Sequence, residues 1–405
     1  MPMPQCIMEI AAPSSRQPTR GELLLLGALT AFGAMTIDLY LPTLPVIARD
    51  FGATPAAVQL TFTAFFIGMA AGQLVYGPVS DRMGRRPAIL FGCVLYVVAS
   101  LACAFAPTIE WLVAGRFVQA LGCCAGMVVA RAVVRDRYDH RDSARIFSLL
   151  VLVLAVAPMI APSVGGWLAA VVSWRAVFVA LALFGGCILA AVFWRLDESR
   201  SAATEAKARG EKWWESYADL FRHRRLMGYV LVGAANGATL FGYIATAPDL
   251  VIDVWGFTSG QFSMIFAFIA FGVIGSSQVN RALLKRHSPD AVLAVAVLVA
   301  ALFGLGVLGL ALAGAGHWWM IGAFFAVLTS NGFIAANALA GALNVDPLRA
   351  GATSGLYGAG NFAVGAVASA VAAVLHDGTA LPVSLVMAVA LIGAALAYYG
   401  LARPR

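Results

Sequence analysis

Long apolar runs, each closed by a short polar or Gly/Pro-rich interval, recur from one end of the chain to the other. A bilayer core takes about 20 apolar residues per helical crossing. Runs of that order lie at 22–48, 55–77, 87–106, 110–134, 144–170 and 174–195, and after a polar interval at 225–251, 259–281, 289–313, 317–343, 350–375 and 380–402. The pattern predicts an all-α membrane protein of twelve transmembrane helices in two six-helix halves. Residues 1–20 read as a flexible cytoplasmic tail, 21–196 as the first half, 197–224 as a cytoplasmic central loop and 225–405 as the second half. The first run is far longer than the ~7–15-residue core of a signal peptide, so it is expected to remain as span one. Pro and Gly inside spans are tolerated where neighbouring helices satisfy the freed backbone groups. The pairs Gly68/Gly72, Gly122/Gly126 and Gly351/Gly355 suit close helix approach.

Composition excludes the soluble alternatives. Of 405 residues, 61% are hydrophobic and 12% charged, against about 25% charged in an ordinary soluble domain. Mean hydropathy is +0.85. The six cysteines show no C-x-x-C spacing and mostly lie inside apolar runs. They are expected to be free and buried, with no disulfide framework and no metal site. The net charge of +7 would suit nucleic acid, but placement decides otherwise: 24 of the 27 Lys and Arg fall on one side of the expected topology, only Arg49 and Arg175 on the other, and Arg116 within a span. Basic residues are retained on the cytoplasmic side, so both termini are expected there and nucleic acid is not expected as a partner.

A weak internal echo accompanies the six-plus-six pattern. Asp81-Arg82-x-x-Arg85-Arg86-Pro87 follows span two, and Asn280-Arg281-x-x-x-Lys285-Arg286-x-x-Pro289 follows span eight. Two related halves are a common transporter organisation. The stretch Gly77-Pro78-Val79-Ser80-Asp81-Arg82-Met83-Gly84-Arg85-Arg86-Pro87 is the most specific in the chain. It reads as a short loop with a Gly-assisted turn, setting a carboxylate beside three guanidinium groups at the membrane surface. Simple charge anchoring accounts for the arginines but not for Gly77, Asp81 and Gly84 in register with them.

This G-x-x-x-D-R-x-G-R-R stretch resembles the signature loop of the major facilitator superfamily. The resemblance implies that Gly77, Asp81, Arg82, Gly84, Arg85 and Arg86 gate the conformational change, with Asp81 and Arg85 in a cytoplasmic charge network reaching the end of span four and the second half. Asp136 is the natural partner there. Span five, Ala157-Pro158-Met159-Ile160-Ala161-Pro162-Ser163-Val164-Gly165-Gly166, resembles the antiporter motif through Pro158, Pro162, Gly165 and Gly166, with Ala157 and Ala161 where Gly is usual. Leu112-x-x-x-Arg116-x-x-Gln119-x-x-Gly122 resembles the arginine motif of span four. Asp38-Leu39-Tyr40-Leu41-Pro42-x-Leu44-Pro45 looks like the span-one stretch of the Bcr/CflA drug-resistance branch, as do Gln59 to Pro87 and Trp174-Arg175-x-x-Phe178.

Two ionisable residues sit at depth. Asp38 lies ten residues inside Ala48 and Arg116 six inside Glu110, or about 15 Å and about 9 Å at the helical rise. Each costs about 2.5–3.5 kcal/mol near a helix centre. Either they form a structural pair, or Asp38 is a carboxylate in a switching cavity. The second reading is favoured, because a group that meets water from each side in turn changes its proton affinity between states. Asp38 is therefore the expected proton-coupling residue, and Asp38, Arg116, Gln119, Met127, Asn236, Tyr243 and Asn361 form the expected substrate cavity. Phe62, Phe65 and Phe66 are candidate aromatic contacts, Asn331 and Tyr357 further polar ones, and Asp249 and Asp253 read as solvated caps.

An enzyme is not expected: the five histidines fall in loops or at span ends, without H-x-x-x-D or H-E-x-x-H. No phosphate-binding loop or pore filter is visible, which disfavours ATP-driven pumps and channels. The resemblance implies a proton-coupled antiporter of a bacterial inner membrane that exports amphipathic small molecules or antibiotics by alternating access. Its partners are then protons, a drug-like substrate and membrane lipid; it needs no cofactor and is expected to be a monomer. The competing reading is a metabolite exporter or symporter of the same fold. Some multidrug relatives carry a second acid in span one, whereas here Asp38 stands alone at depth.

Overall fold

The computed structural model describes residues 19–138, 146, 158, 160–200, 204–205, 213–346 and 349–403. Among these residues eleven helices are long and apolar enough to cross a membrane, and a shorter apolar helix, Ile160–Val171, lies where span five is expected. The first half comprises α1 (Arg20–Asp38), α2 (Leu44–Phe51), α3 (Pro55–Met83), α4 (Arg85–Ala104), α5 (Ile109–Arg137), α6 (Ile160–Val171) and α7 (Trp174–Arg195). A short helix, α8 (Trp213–Arg222), precedes the second half of α9 (Arg224–Pro248), α10 (Ser259–Leu283), α11 (Pro289–Leu312), α12 (His317–Thr329), α13 (Asn331–Val345), α14 (Ala350–Val374) and α15 (Leu381–Ala397). Ala157 and Met159, most of the N-terminal tail and much of the central loop lie outside the described residues.

Helix starts follow local chemistry. Thr19, Thr54, Thr108, Thr258 and Ser288 each accept a backbone N–H from the first turn of the helix they open, which satisfies donors a helix cannot pair internally. The outward surface is apolar: Leu183 is 66% exposed and Val295 63%, as lipid-facing positions require. Trp111, Trp167, Trp318 and Trp319 are exposed near one end of the bundle and Trp194 near the other, the depth at which aromatic belts form. Cys93, Cys103, Cys123 and Cys124 are free and buried, while Cys187 is free but exposed on the outer face of α7. Cys6 lies outside the described residues.

Two boundaries differ from the sequence expectation in ways that matter. Span one is not one helix. It breaks after Asp38, passes through a 3-10 turn at Leu41–Thr43, and resumes as α2. Pro42 and Pro45 each sit in the first turn of a new helical segment, where the missing N–H costs nothing. Conversely, the loop expected over 77–87 shrinks to a single residue. α3 runs through Gly77 and Pro78 to Met83, and α4 starts at Arg85. Gly84 alone leaves helical geometry, at φ +105°, a conformation that L side chains rarely adopt.

The halves meet chiefly along α3 and α14. Midway, Phe66 of α3 packs at a tilt on Phe241 of α9 and stacks with Phe362 of α14, at centroid distances of 4.6 and 6.3 Å, and Phe241 stacks on Phe362 at 4.9 Å. Thr63 donates to Ser369 across the same seam at 3.3 Å. Nearer Gly84, the Gln73 side chain packs on Gly358, and the Tyr217 hydroxyl of α8 donates to the Leu74 carbonyl. At the opposite face, Gly166 of α6 lies beside both Pro42 and Ser259 of α10. The halves are thus in contact at both faces and at mid-depth.

Candidate functional site

Three clusters carry the chemistry, and each follows from a local device. The first surrounds Gly84. Because α4 begins one residue after this glycine, its free N–H groups point back toward the end of α7. The Glu198 carboxylate occupies that position, accepting from the backbone N–H groups of Arg85 at 2.9 Å, Arg86 at 3.2 Å, Ser199 at 3.0 Å and Arg200 at 2.9 Å. Burial pushes its pKa up, but the four donors outweigh that and hold the carboxyl below the usual glutamate range. A side chain at Gly84 would collide with this carboxylate.

Beside it Arg85 is buried, its side chain 2% exposed. Its Nε donates to Asp136 at 2.8 Å, and Nη1 donates to Ser80 at 2.7 Å and also to Asp81. A guanidinium at that depth needs such partners, since an unpaired buried charge costs several kcal/mol. Arg86 donates to the Phe193 carbonyl at 2.7 Å, and Arg200 reaches the Asp81 carbonyl at 3.3 Å. Asp81, Gly84, Arg85, Arg86 and Asp136 therefore form one cluster tying α3, α4, α5 and the end of α7. Gly77 joins only through its carbonyl, which accepts from the Ser80 hydroxyl at 3.0 Å, and a Cβ there would meet open space. The equivalent joint of the second half is wired differently. Asp290 at the start of α11 accepts from the Tyr229 hydroxyl at 2.5 Å and Arg225 at 3.5 Å, all within that half.

The second cluster surrounds Arg116. The side chain is fully buried; its Nη1 donates to Gln119 Oε1 at 2.6 Å, and Gln119 donates on to Ser100 at 2.8 Å. Four rings enclose the guanidinium: Phe65 at 4.2 Å, Tyr40 at 4.4 Å, Phe62 at 5.8 Å and Phe178 at 5.9 Å. Ring faces attract cations, and more strongly where water is excluded. No carboxylate lies within ion-pair distance of Arg116 among the described residues. The span-one residue that meets it is Tyr40, which also hydrogen-bonds Thr61 at 2.9 Å. The structural Asp38–Arg116 pair is therefore not formed. Asp38 closes α1 and Tyr40 lies beyond the break, and it is Tyr40 that the chain presents to Arg116.

The third cluster is Asp38 itself. It is 3% exposed, and its Oδ2 has no hydrogen-bond partner among the described residues. It closes α1 just before the break, and α6 packs on that break. A Cβ at Gly165 would overlap the Leu39 carbonyl oxygen, whereas at Gly166 it would touch Pro42 at an ordinary 3.6 Å. Pro162 lies in the same helix, and Pro158 lies in a described helical position next to the undescribed Met159.

The remaining cavity candidates each have a defined local setting. Met127 packs against Gly33, Tyr243 turns toward Phe324 of its own half at 5.2 Å, and the Asn361 side chain lies on Gly237 at the α9–α14 contact. Asn236 is buried in α9. Residues that local patterns did not single out include Glu198, Gln73, Thr63, Ser369, Phe241 and Phe362. For Glu198 a usable signal existed: an acid just past a span end, at the level where a helix N-terminus is exposed.

A chain of about a dozen apolar helices in two halves, with charges buried in the packing of the first half, is a polytopic membrane protein. Residues 24–370 match the Major Facilitator Superfamily, and the chain belongs to that family. It is 32% identical over 401 residues to the uncharacterized MFS-type transporter YdgK of Bacillus subtilis, covering 94% of this chain and 95% of that one. It is 30% identical over 378 residues to the bicyclomycin resistance protein homolog of Haemophilus influenzae, covering 93% and 95%. Over 234 residues it is 34% identical to the multidrug resistance protein MdtL of Escherichia coli, 58% of this chain and 59% of that protein. Among solved structures, the xylose transporter XylE of E. coli in a partially occluded inward-open conformation aligns with a TM-score of 0.73 at 11% identity, covering 94% of this chain and 97% of that one. That likeness concerns the fold.

Proposed function

We propose that this transporter is a proton-coupled efflux antiporter for amphipathic small molecules, with Asp38 as the proton-carrying group. The observation that carries the reading is the buried Asp38 carboxylate with an unpartnered oxygen, placed at the break of span one under the antiporter-like helix α6. A carboxylate without a fixed counter-charge is free to exchange a proton as its access to water changes. In an antiporter, proton and substrate occupancy oppose each other through the two states. The drug-resistance names of two relatives support the substrate class. The basic bias of the Gly84 face supports placing that face, and both termini, in the cytoplasm of a bacterial inner membrane. In that orientation the Asp81–Arg85–Asp136 cluster serves as the cytoplasmic gate, and Arg116 in its aromatic cage fixes the wall that faces span one.

The test is pH-gradient-driven transport in proteoliposomes, wild type beside Asp38→Asn, together with a drug-susceptibility panel in a host stripped of its efflux pumps. Asp38→Asn should abolish proton-driven flux while leaving drug binding measurable. Equal flux in both would remove Asp38 from coupling. Unchanged susceptibility across the panel on expression of the wild type would remove drugs as substrates.

A further inference from the structure

On the face opposite Gly84, where the halves meet, a small open cleft with room for about one water-sized group lies between the first-half residues after Asp38 and the segment that follows α9. Its apolar side includes Leu44, Pro45 and Val58, and its polar side is Gln59, Asp249 and Asp253. Asp249 has His376 beside it, Nδ1 to Oδ2 at 3.3 Å. Arg49 faces Asp253 from the other half without reaching ion-pair distance. Two carboxylates thus stand beside one guanidinium and one imidazole. Two acids alone would read as solvated caps, but Gln59 is 2% exposed and neither its amide nitrogen nor its oxygen has a partner among the described residues. An unpaired buried amide is costly, and here it lines the same cleft as the carboxylates.

We propose that this pocket is an outer binding subsite for a protonated primary or secondary amine carried on an apolar body. The ammonium N–H groups would donate to Asp249, Asp253 and the Gln59 carbonyl oxygen, and the apolar body would leave the cleft over Ala48 and Pro55, the apolar lining residues that are not buried. No one half supplies the site. The first half brings the amide and the apolar wall, the second half brings both carboxylates. Separation of the halves on this face widens the pocket and contraction squeezes it, so occupancy is linked to the state of the transporter. The proposal rests on the efflux reading above and adds a second stopping point on the release path, distinct from Asp38.

The probe is dansylcadaverine, a fluorescent primary ammonium, with its N-acetyl derivative as neutral control, titrated onto the purified full-length protein in detergent. Saturable dansylcadaverine binding should appear in the wild type and persist in Asp38→Asn. It should weaken by about tenfold or more in Asp249→Asn/Asp253→Asn, the scale of a lost charge-assisted contact. The acetylated control should bind more weakly than the ammonium to the wild type and be unaffected by the double substitution. Gln59→Leu should weaken the ammonium in the same direction, and it serves as the test should the double variant fail to elute as a monodisperse protein. Absence of saturable ammonium binding to the wild type overturns the subsite, as does wild-type affinity in both the acid and the Gln59 variants. Binding lost in Asp38→Asn but kept in the acid variant overturns it too and assigns the amine to the inner carboxylate. None of these results touches the efflux reading, which stands or falls on the flux and susceptibility measurements.

Discussion

Gly165→Ala adds one methyl group at a point where there is no room for it. The new Cβ would overlap the carbonyl oxygen of Leu39 and crowd its Cα and carbonyl carbon. These are backbone atoms, so no rotamer change can make space. The backbone they belong to is itself held: the Leu39 N–H donates to Met35 at 3.1 Å and the Thr43 N–H to Tyr40 at 3.0 Å, while Pro42 fixes the turn between them. Either α6 moves off span one or the break yields, and overpacking of this kind costs about 1–3 kcal/mol. Leu39 follows Asp38 directly, so any shift of the break carries that carboxylate with it. Gly166→Ala is the matched control, since its Cβ would meet Pro42 at 3.6 Å, an ordinary contact. The assay is the melting temperature of each purified variant in one detergent, followed by proton-driven flux after reconstitution. Gly165→Ala should melt lower and transport more slowly, and Gly166→Ala should match the wild type in both. Indistinguishable behaviour of the two alanines would refute the close-approach account of α6.

Arg116→Lys should lose most transport despite keeping the charge, because an ammonium cannot lie as a plane between Tyr40 and Phe65 while donating to Gln119; full flux at normal expression would show that the planar fork is dispensable. Glu198→Gln should reduce stability at neutral pH and flatten its acid dependence. The carboxyl titrates lower in the folded protein than the ordinary value of 4.5, so its contribution is fully present above that value and fades as pH falls toward the folded pKa; identical acid-denaturation curves for variant and wild type would argue against it. Asp81→Asn should change the balance of conformational states with drug affinity nearly intact, read by binding and cycling rates in parallel, and lost affinity with normal cycling would count against gating. Reporter fusions after Glu211 and at the C terminus should both report cytoplasm, and an external signal at either would break the orientation.

The twelve-span layout was legible because lipid imposes a length and polarity rule on every segment, and α7 coincides with the expected run from Trp174 to Arg195. Depth could be counted along span one, but direction could not. The break at Leu39–Thr43 rotates the chain, and whether Asp38 or Tyr40 meets Arg116 depends on that rotation. The motif around Gly84 announced a turn, yet its polar letters suggested a loop where the structure continues a helix. Arg82 and Asp81 are compatible with a helix end at the membrane surface, and only the positive φ of Gly84 interrupts it. The Phe66–Phe241–Phe362 stack brings together residues from three distant helices, and no local periodicity encodes such a meeting.

The one-residue connection between α3 and α4 has a mechanical consequence. A longer connector would stretch or coil and absorb displacement, as a slack rope absorbs a pull. Gly84 leaves no such play, and Glu198 pins the joint to the end of α7. A push delivered to α3 at its contact with α14 is therefore handed to α4 and α7 as torque about a single swivel. Lengthening the connector by even a few flexible residues should therefore uncouple α3 from α4 while leaving every helix intact.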